Sequence, residues 1–360
     1  MPDVFESFFQ QFGKSPADYY SLKQLDPAYA VFFGHGHVAH LPAHPNARMQ
    51  LFESYEQGGG KQLQKFLQEA AYKYQVGMQD LVHKPGQSIR ELADWRILQG
   101  LFRLHLFQSF HRHIRKYFQN PHLLQLLEFP VLFLGATPQK TPALYSLMNY
   151  ADIALGTWYP KGGMHAPINA MVQLNASLGT QIITNAEVKE LAVAGGRVQQ
   201  VVTDQQTFTA DVVIANGDYH HIEQNLLPLP YRSYSAAYWD KRVLAPSCLL
   251  YYLGIDKRLQ NLLHHNLFFH TSMQQHFHEI YEAPQWPNEP LFYVSCTSQT
   301  DPSVAPAGCE NLFILIPIAP GLRDTPDIRE QYLQTTLHTL EHLTDQTIRD
   351  HIVYQKSYAY

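Results

Sequence analysis

The chain has 360 residues, 45% apolar and 16% charged, and Lys+Arg 26 against Asp+Glu 31 leaves a net charge of −5. That composition excludes a disordered chain and disfavours nucleic acid as a partner, because a phosphate-binding surface needs an excess of cations. Three widely spaced cysteines, Cys248, Cys296 and Cys309, form no CxxC pair and no disulfide framework, which fits a reducing compartment. No apolar run approaches the roughly 20 residues that span a bilayer. The opening MPDVFESFFQQFGK contains acids and lacks the basic region of a signal peptide. These features point to a soluble or peripheral globular protein.

The first segment reads as a helix. Asp3 and Glu6 form a D-x-x-E cap, Val4, Phe5, Phe8, Phe9 and Phe12 make one apolar stripe, and Gly13 stops it. Residues 29–41 suggest two short strands around a Gly34–Gly36 turn. From about 46 to 155 the pattern is helical, with Asn120-Pro121 and Thr141-Pro142 each placing a side-chain cap before a proline at the first turn.

The character changes near Gly156. G-x-W-x-P-x-G-G-M, built from Gly156, Trp158, Pro160, Gly162, Gly163 and Met164, precedes a helix closed by Gly179. Paired glycines let a backbone pass close to something flat, or simply open a helix-entry turn; the residues alone leave both readings open. QIITNAEVKELAVAGGRVQQVVTDQQTFTADVVIAN then reads as four short β runs, with Gly195-Gly196 making a hairpin. Further strands, APSCLLYYLGI, LFYVSCT and NLFILIPIA, an amphipathic helix from about 327 and a strand-like IVYQKSYAY complete the chain.

Twenty histidines include several close pairs, but these lie in separate contexts without HExxH, so structural or surface roles are expected and no metal site is assigned. GxSxG, the P-loop and GxGxxG are absent. The stretch LFRLHLFQSFHRHIRKYF interleaves Phe102, Arg103, Phe107, Phe110, Arg112, Arg115 and Lys116, which suits a helix on an anionic membrane surface or an ordinary packed helix with a basic face.

GTWYPKGGMHAPINAMVQLNASLGTQIITNAEVKEL followed by AGGRVQQVVTDQQTFTADVVIANGDYHH resembles the middle of phytoene desaturases, the bacterial-type carotenoid desaturases of the flavin-dependent amine-oxidase superfamily. LEFPVLFLGATPQKTPALYSLMNYADI, TDPSVAPAGCENLFILIPIAPGL and MPDVFESFFQQFGKSPADYYSLKQLDPAY extend the resemblance over nearly the whole chain, in order.

The resemblance implies an α/β fold: a partial Rossmann-like FAD-binding domain with an inserted β-hairpin, plus an α+β substrate domain. The expected division is an early FAD-domain remnant at 1–28, a largely helical, membrane-facing substrate domain at 29–155, the middle FAD segment at 156–235 and a sheet-and-helix part of the substrate domain at 236–360. Both the N-terminal dinucleotide fingerprint and the late flavin motif of the family are missing, so the chain is expected to be a fragment. Trp158, Gly162, Gly163, Val188, Asn216 and Asp218 are the FAD contacts the resemblance carries over.

The implied chemistry is dehydrogenation of a phytoene-like polyene, hydride passing to the flavin. Phe129, Phe133, Tyr145, Tyr251, Tyr252, Phe292 and Phe313 are candidates for an apolar tunnel, or for plain core. Leu124 and Asn120 stand where some relatives have proposed acid–base groups, so no catalytic acid or base is named. A lipid substrate strengthens the membrane reading and implies a cytoplasmic protein peripheral to the inner face of the membrane. The rivals are a saturase, isomerase or ketolase-like polyene enzyme, and a non-catalytic apolar-ligand or membrane-binding protein.

Overall fold

The computed structural model describes residues 2–34, 36–78, 82–84 and 104–359, leaving aside the side chains of Leu132 and Phe133. The chain divides into two compact units, residues 1–170 with 245–360, and residues 171–244.

A seven-stranded sheet organises the first unit. Its strands are β2 (Tyr29–Phe32), β3 (Val38–Leu41), β8 (Ser247–Ile255), β9 (His265–Phe268), β10 (Phe292–Ser295), β11 (Glu310–Ile318) and β12 (Ile352–Tyr358), in the order β12-β8-β11-β10-β9-β2-β3. Among the described strands only β2 and β9 pair in parallel. The stretch at 29–155 and the stretch at 236–360 therefore share one sheet. The predicted hairpin at 29–41 is β2–β3, with Gly34 at φ 86°.

Alternation along the central strands gives the sheet two unlike faces. Leu249, Tyr251, Leu253 and Ile255 of β8 point one way with Leu312, Ile314, Ile316 and Ile318 of β11. Helix α8 (Pro326–Thr344) covers this face with Leu333, Leu337 and Leu340. It starts on a Thr325 cap and stops at Asp345, which adopts φ 50°. Phe32, Phe268 and Phe292 stack across three adjacent strands here, each pair with centroids 4.5 Å apart.

The opposite face carries Tyr29, Val31, Phe33, Leu267 and Phe269 at its β2–β9 end, under helices α2 (Pro45–Tyr55), α3 (Gly59–Val76), α4 (Phe110–Ile114) and α5 (Pro121–Glu128). Asn120 caps α5 as predicted, accepting from the amides of His122 and Leu123. Thr141 does not cap: its hydroxyl donates back to the Thr137 carbonyl at 2.9 Å, and 143–154 is a run of short helical turns. Lys73 ties these helices together. Its fully buried ammonium lies 2.6 Å from Glu69 and donates to the Ala143 carbonyl and the Ser146 hydroxyl.

The opening helix α1 (Pro2–Gln10) forms as expected, but Asp3 accepts from the Tyr74 hydroxyl at 2.7 Å, and of its phenylalanines Phe9 is fully buried while Phe8 stays exposed.

In the second unit β5 (Val188–Ala194), β6 (Arg197–Thr203) and β7 (Thr207–Phe208) form an antiparallel sheet, with Gly195 and Gly196 at positive φ in the predicted hairpin. QIIT and VVIA are not strands: no described strand pairs with either, and Ile182, Ile183, Val212 and Ile214 are exposed.

Leu337→Ala should leave a cavity under the covered sheet face and destabilise the fold by about 2–5 kcal/mol, read from the urea midpoint.

Candidate active site

The Gly156–Met164 loop is held at both ends. Strand β4 (Trp158–Pro160) pairs antiparallel with β1 (Leu22–Gln24), and the Trp158 indole donates to the Leu155 carbonyl at 2.9 Å. Gly156 has φ 78°, a left-handed backbone that favours glycine. Gly162 and Gly163 have φ 89° and 94°, and a Cβ on Gly162 would meet nothing within 4 Å. The loop thus presents bare backbone on an open side, which fits a flat ring lying against it. The buried Asp301 carboxylate accepts from the Gly162 amide at 2.7 Å and the Tyr159 hydroxyl at 3.2 Å.

Behind Tyr159 lies a row of rings. Its centroid is 4.6 Å from that of His264, which is 4.4 Å from that of His265, whose Nδ1 lies 2.6 Å from the Tyr293 hydroxyl. Burial pushes His265 down to about 3 and, with Lys23 adding to it, His264 down to about 4; burial pushes the Tyr293 phenol up to about 12. The pair is a neutral hydrogen-bonded unit.

Tyr293 opens onto a cavity of about 180 Å3 between the sheet face and Phe129, with Cys248, Leu267, Phe269 and Leu315 among its walls. Farther along that face Tyr252 and Phe313 pack with centroids 5.1 Å apart, and Tyr252 meets Tyr358 at 5.9 Å.

Of the residues expected in an apolar tunnel, Phe129 and Phe292 line this cavity, although the Phe292 ring stacks toward the covered face. Tyr252 and Phe313 share the open face. Tyr251 does not: the pleat turns it into the core under α8, where its hydroxyl donates to the Arg329 carbonyl. Successive side chains of one strand point to opposite faces of the sheet. Tyr145 is half-buried in the helical turns, and the side chain of Phe133 lies outside the described residues. Sequence reasoning passed over Cys248, His265, Tyr293 and Asp301; the last was within reach, in the quoted TDPSVAP stretch.

Val188, Asn216 and Asp218 belong to the second unit. Val188 opens β5 opposite Thr203, Asn216 is exposed, and Asp218 accepts from the His221 amide at 2.7 Å, capping a short helical turn.

Glu69, His105 and His113 bring ligand-type atoms together in the helical layer. The Lys73 ammonium, 2.6 Å from the Glu69 oxygen and 3.3 Å from His113 Nε2, already supplies the positive charge there. Despite burial, hydrogen bonds from His113, Lys73 and Tyr117 hold the Glu69 carboxyl well below the usual range.

The basic aromatic stretch is not one amphipathic helix. Phe102 and Arg103 lie outside the described residues, and α4 is five residues long. Phe110 is fully buried in the core, so it cannot meet a bilayer, and Arg115 pairs with Glu128 at 2.6 Å. Phe107, Arg112 and Lys116 remain exposed. Among the described residues no helix is long and apolar enough to cross a membrane.

The mixed sheet with helices on both faces is the fold of known flavin oxidases. A redesigned putrescine oxidase superposes with a TM-score of 0.53 over 99% of this chain and 71% of that one, at 11% identity. A Pyrococcus furiosus protein gives 0.57 over 99% and 72%, at 14% identity. The chain belongs to the flavin containing amine oxidoreductase family, which residues 10–352 match. It is 39% identical to the carotenoid 3,4-desaturase of Haloarcula japonica, over 100% of this chain and 73% of that protein. It is 30% identical to the phytoene desaturase of Fusarium fujikuroi, over 90% of this chain and 57% of that protein. A 4,4'-diapolycopene oxygenase from a Methylomonas species is 30% identical, over 98% and 72%. The similarity thus runs to the carotenoid-desaturase branch that the motifs indicated.

His264 and His265 give the fold a pH dependence whose sign is fixed. Unfolded histidines bind protons near pH 6.5, whereas these resist protonation until far lower pH, so stability falls as pH drops from 7 toward 4. Each contributes at most about 1.4 kcal/mol per pH unit in that window. The double variant His264→Gln/His265→Gln should flatten the dependence of Tm on pH between 7 and 5.

Proposed function

We propose that this chain is an FAD-dependent oxidoreductase that desaturates CH–CH bonds of a carotenoid polyene. The observation that carries the reading is the apolar cavity beside Tyr293, walled almost wholly by carbon, on an open sheet face of a flavin-family fold. A thin hydrocarbon offers no polar handle, so binding must come from apolar area, at about 25 cal/mol per Å2 removed from water. The named relatives, two desaturases and an oxygenase of carotenoids, support the substrate class.

FAD bound here supplies the hydride acceptor. The protein's part is to hold the polyene and exclude water. Gly162 and Gly163, with Trp158, would hold the ring, and Val188, Asn216 and Asp218 are the further contacts the resemblance implies. Phe129, Tyr252, Phe292 and Phe313 extend the apolar path, joined by Leu315 and Cys248. The oxygenase relative supports a second reading, oxygenation of a polyene end, which product analysis separates from desaturation.

Flavin fluorescence should show saturable FAD binding. Phytoene should then slow maleimide labelling of Cys248, a cavity wall. No FAD binding, or equal labelling with and without polyene, would sink the reading.

The same substrate class supports peripheral attachment to the inner face of the cytoplasmic membrane, through the exposed Phe107 flanked by Arg112 and Lys116. Phe107 is 97% exposed. Phe107→Asp with Lys116→Glu should weaken binding to anionic phosphatidylglycerol vesicles about tenfold in a flotation assay.

A further inference from the structure

We infer that Asp301 is a positioning residue that clamps the Gly162–Gly163 loop and so keeps its bare face available to the flavin ring; the inference rests on the flavin reading above. Asp301 and Gly162 are 139 residues apart in sequence, and the clamp exists only in the folded chain.

Four donors converge on this carboxylate, which is 3% exposed. One oxygen accepts from the Gly162 amide at 2.7 Å and the Tyr159 hydroxyl at 3.2 Å. The other accepts from the Ser303 amide at 3.0 Å and hydroxyl at 2.6 Å. The Ser303 hydroxyl bond and the Gly162 amide bond lead the groups that hold the carboxyl down to about 2, so it is ionised at neutral pH. Charge-assisted bonds of this kind are the strong ones.

The clamp is itself anchored. Asn311, on β11, donates to the Val304 carbonyl and accepts from the Thr297 hydroxyl and the Ser298 amide, which pins 297–304 to the sheet. Val304 would lie 3.8 Å from a Cβ on Gly163. The loop is thereby referred to the same sheet that walls the apolar cavity. Two consecutive glycines at φ 89° and 94° have little conformational preference of their own, so an external tie must select their geometry. Because Asp301 engages the Gly162 amide, that amide is not a donor to the flavin; the ring meets backbone surface instead.

The test reads the loop and the ligand separately, on the whole chain. Gly162 and Lys161 are exposed, so without the clamp the amide would exchange freely and trypsin would cut after Lys161. Asp301→Asn places an amide NH2 among donors. It should speed exchange at Gly162 about tenfold or more, accelerate cleavage after Lys161, and weaken FAD binding by a similar factor. Ser303→Ala, which removes one donor and leaves the carboxylate in place, should show the same changes at about a third of that size, and it covers the case in which Asp301→Asn does not fold. An unprotected Gly162 amide in the wild type, or unchanged exchange in both variants, overturns the clamp. Faster exchange with unchanged FAD affinity overturns its role toward the flavin while leaving the flavin reading intact. A wild-type chain with a protected Gly162 amide that binds no FAD overturns the flavin reading and, with it, the ligand assigned to the clamp.

Discussion

The two-residue repeat of β8, β10 and β11 is the constraint on which the rest of the molecule depends. Each of these strands must bury one row of side chains under α8, where Tyr251, Ile314 and Ile316 are fully enclosed. The pleat then presents the intervening row, Cys248, Tyr252, Phe313 and Leu315, to the other side. A helix covers the first row. The second is left for the helical layer at one end of the sheet and for a cavity beside it. An open apolar face is therefore produced by the same alternation that builds the core, and a register shift of one residue would exchange the two.

Several buried polar groups tie distant segments together. Lys73 joins α3 to the turns at 143–146, Glu310 accepts from Gln299 and pairs with Arg258, and Asp301 joins the glycine loop to the segment that leads into β11. Each is satisfied by several partners, as burial of charge requires. In the second unit Glu223 does the same locally, accepting from the Ser233 and Tyr234 amides and the Trp239 indole. On the open face His265 and Tyr293 form a polar pair, and burial holds both neutral.

Part of the fold around the candidate site was legible, and the errors have identifiable causes. Tyr251 and Tyr252 of β8 were grouped although adjacent strand residues face opposite ways. The basic aromatic stretch looked like one membrane helix because its periodicity is real. Phe110 nevertheless answers to the core formed with Phe66 and Phe118, a demand that no local pattern records. Thr141 looked like a cap, and its hydroxyl found a carbonyl in the preceding turn. VVIA has the composition of a strand and stays unpaired, because a strand exists only where another offers its hydrogen bonds.

The sequence by itself determined the family, the order of the elements, the glycine loop and the alternation that makes one side of each central strand apolar, since these follow from local chemistry and motif. Only the tertiary structure decided which row faces the open side, which helix seals the other, and that a carboxylate at 301 grips an amide at 162. Those outcomes rest on contacts between residues far apart in the chain, and such contacts arise when segments pack, with no trace in the neighbourhood of either residue.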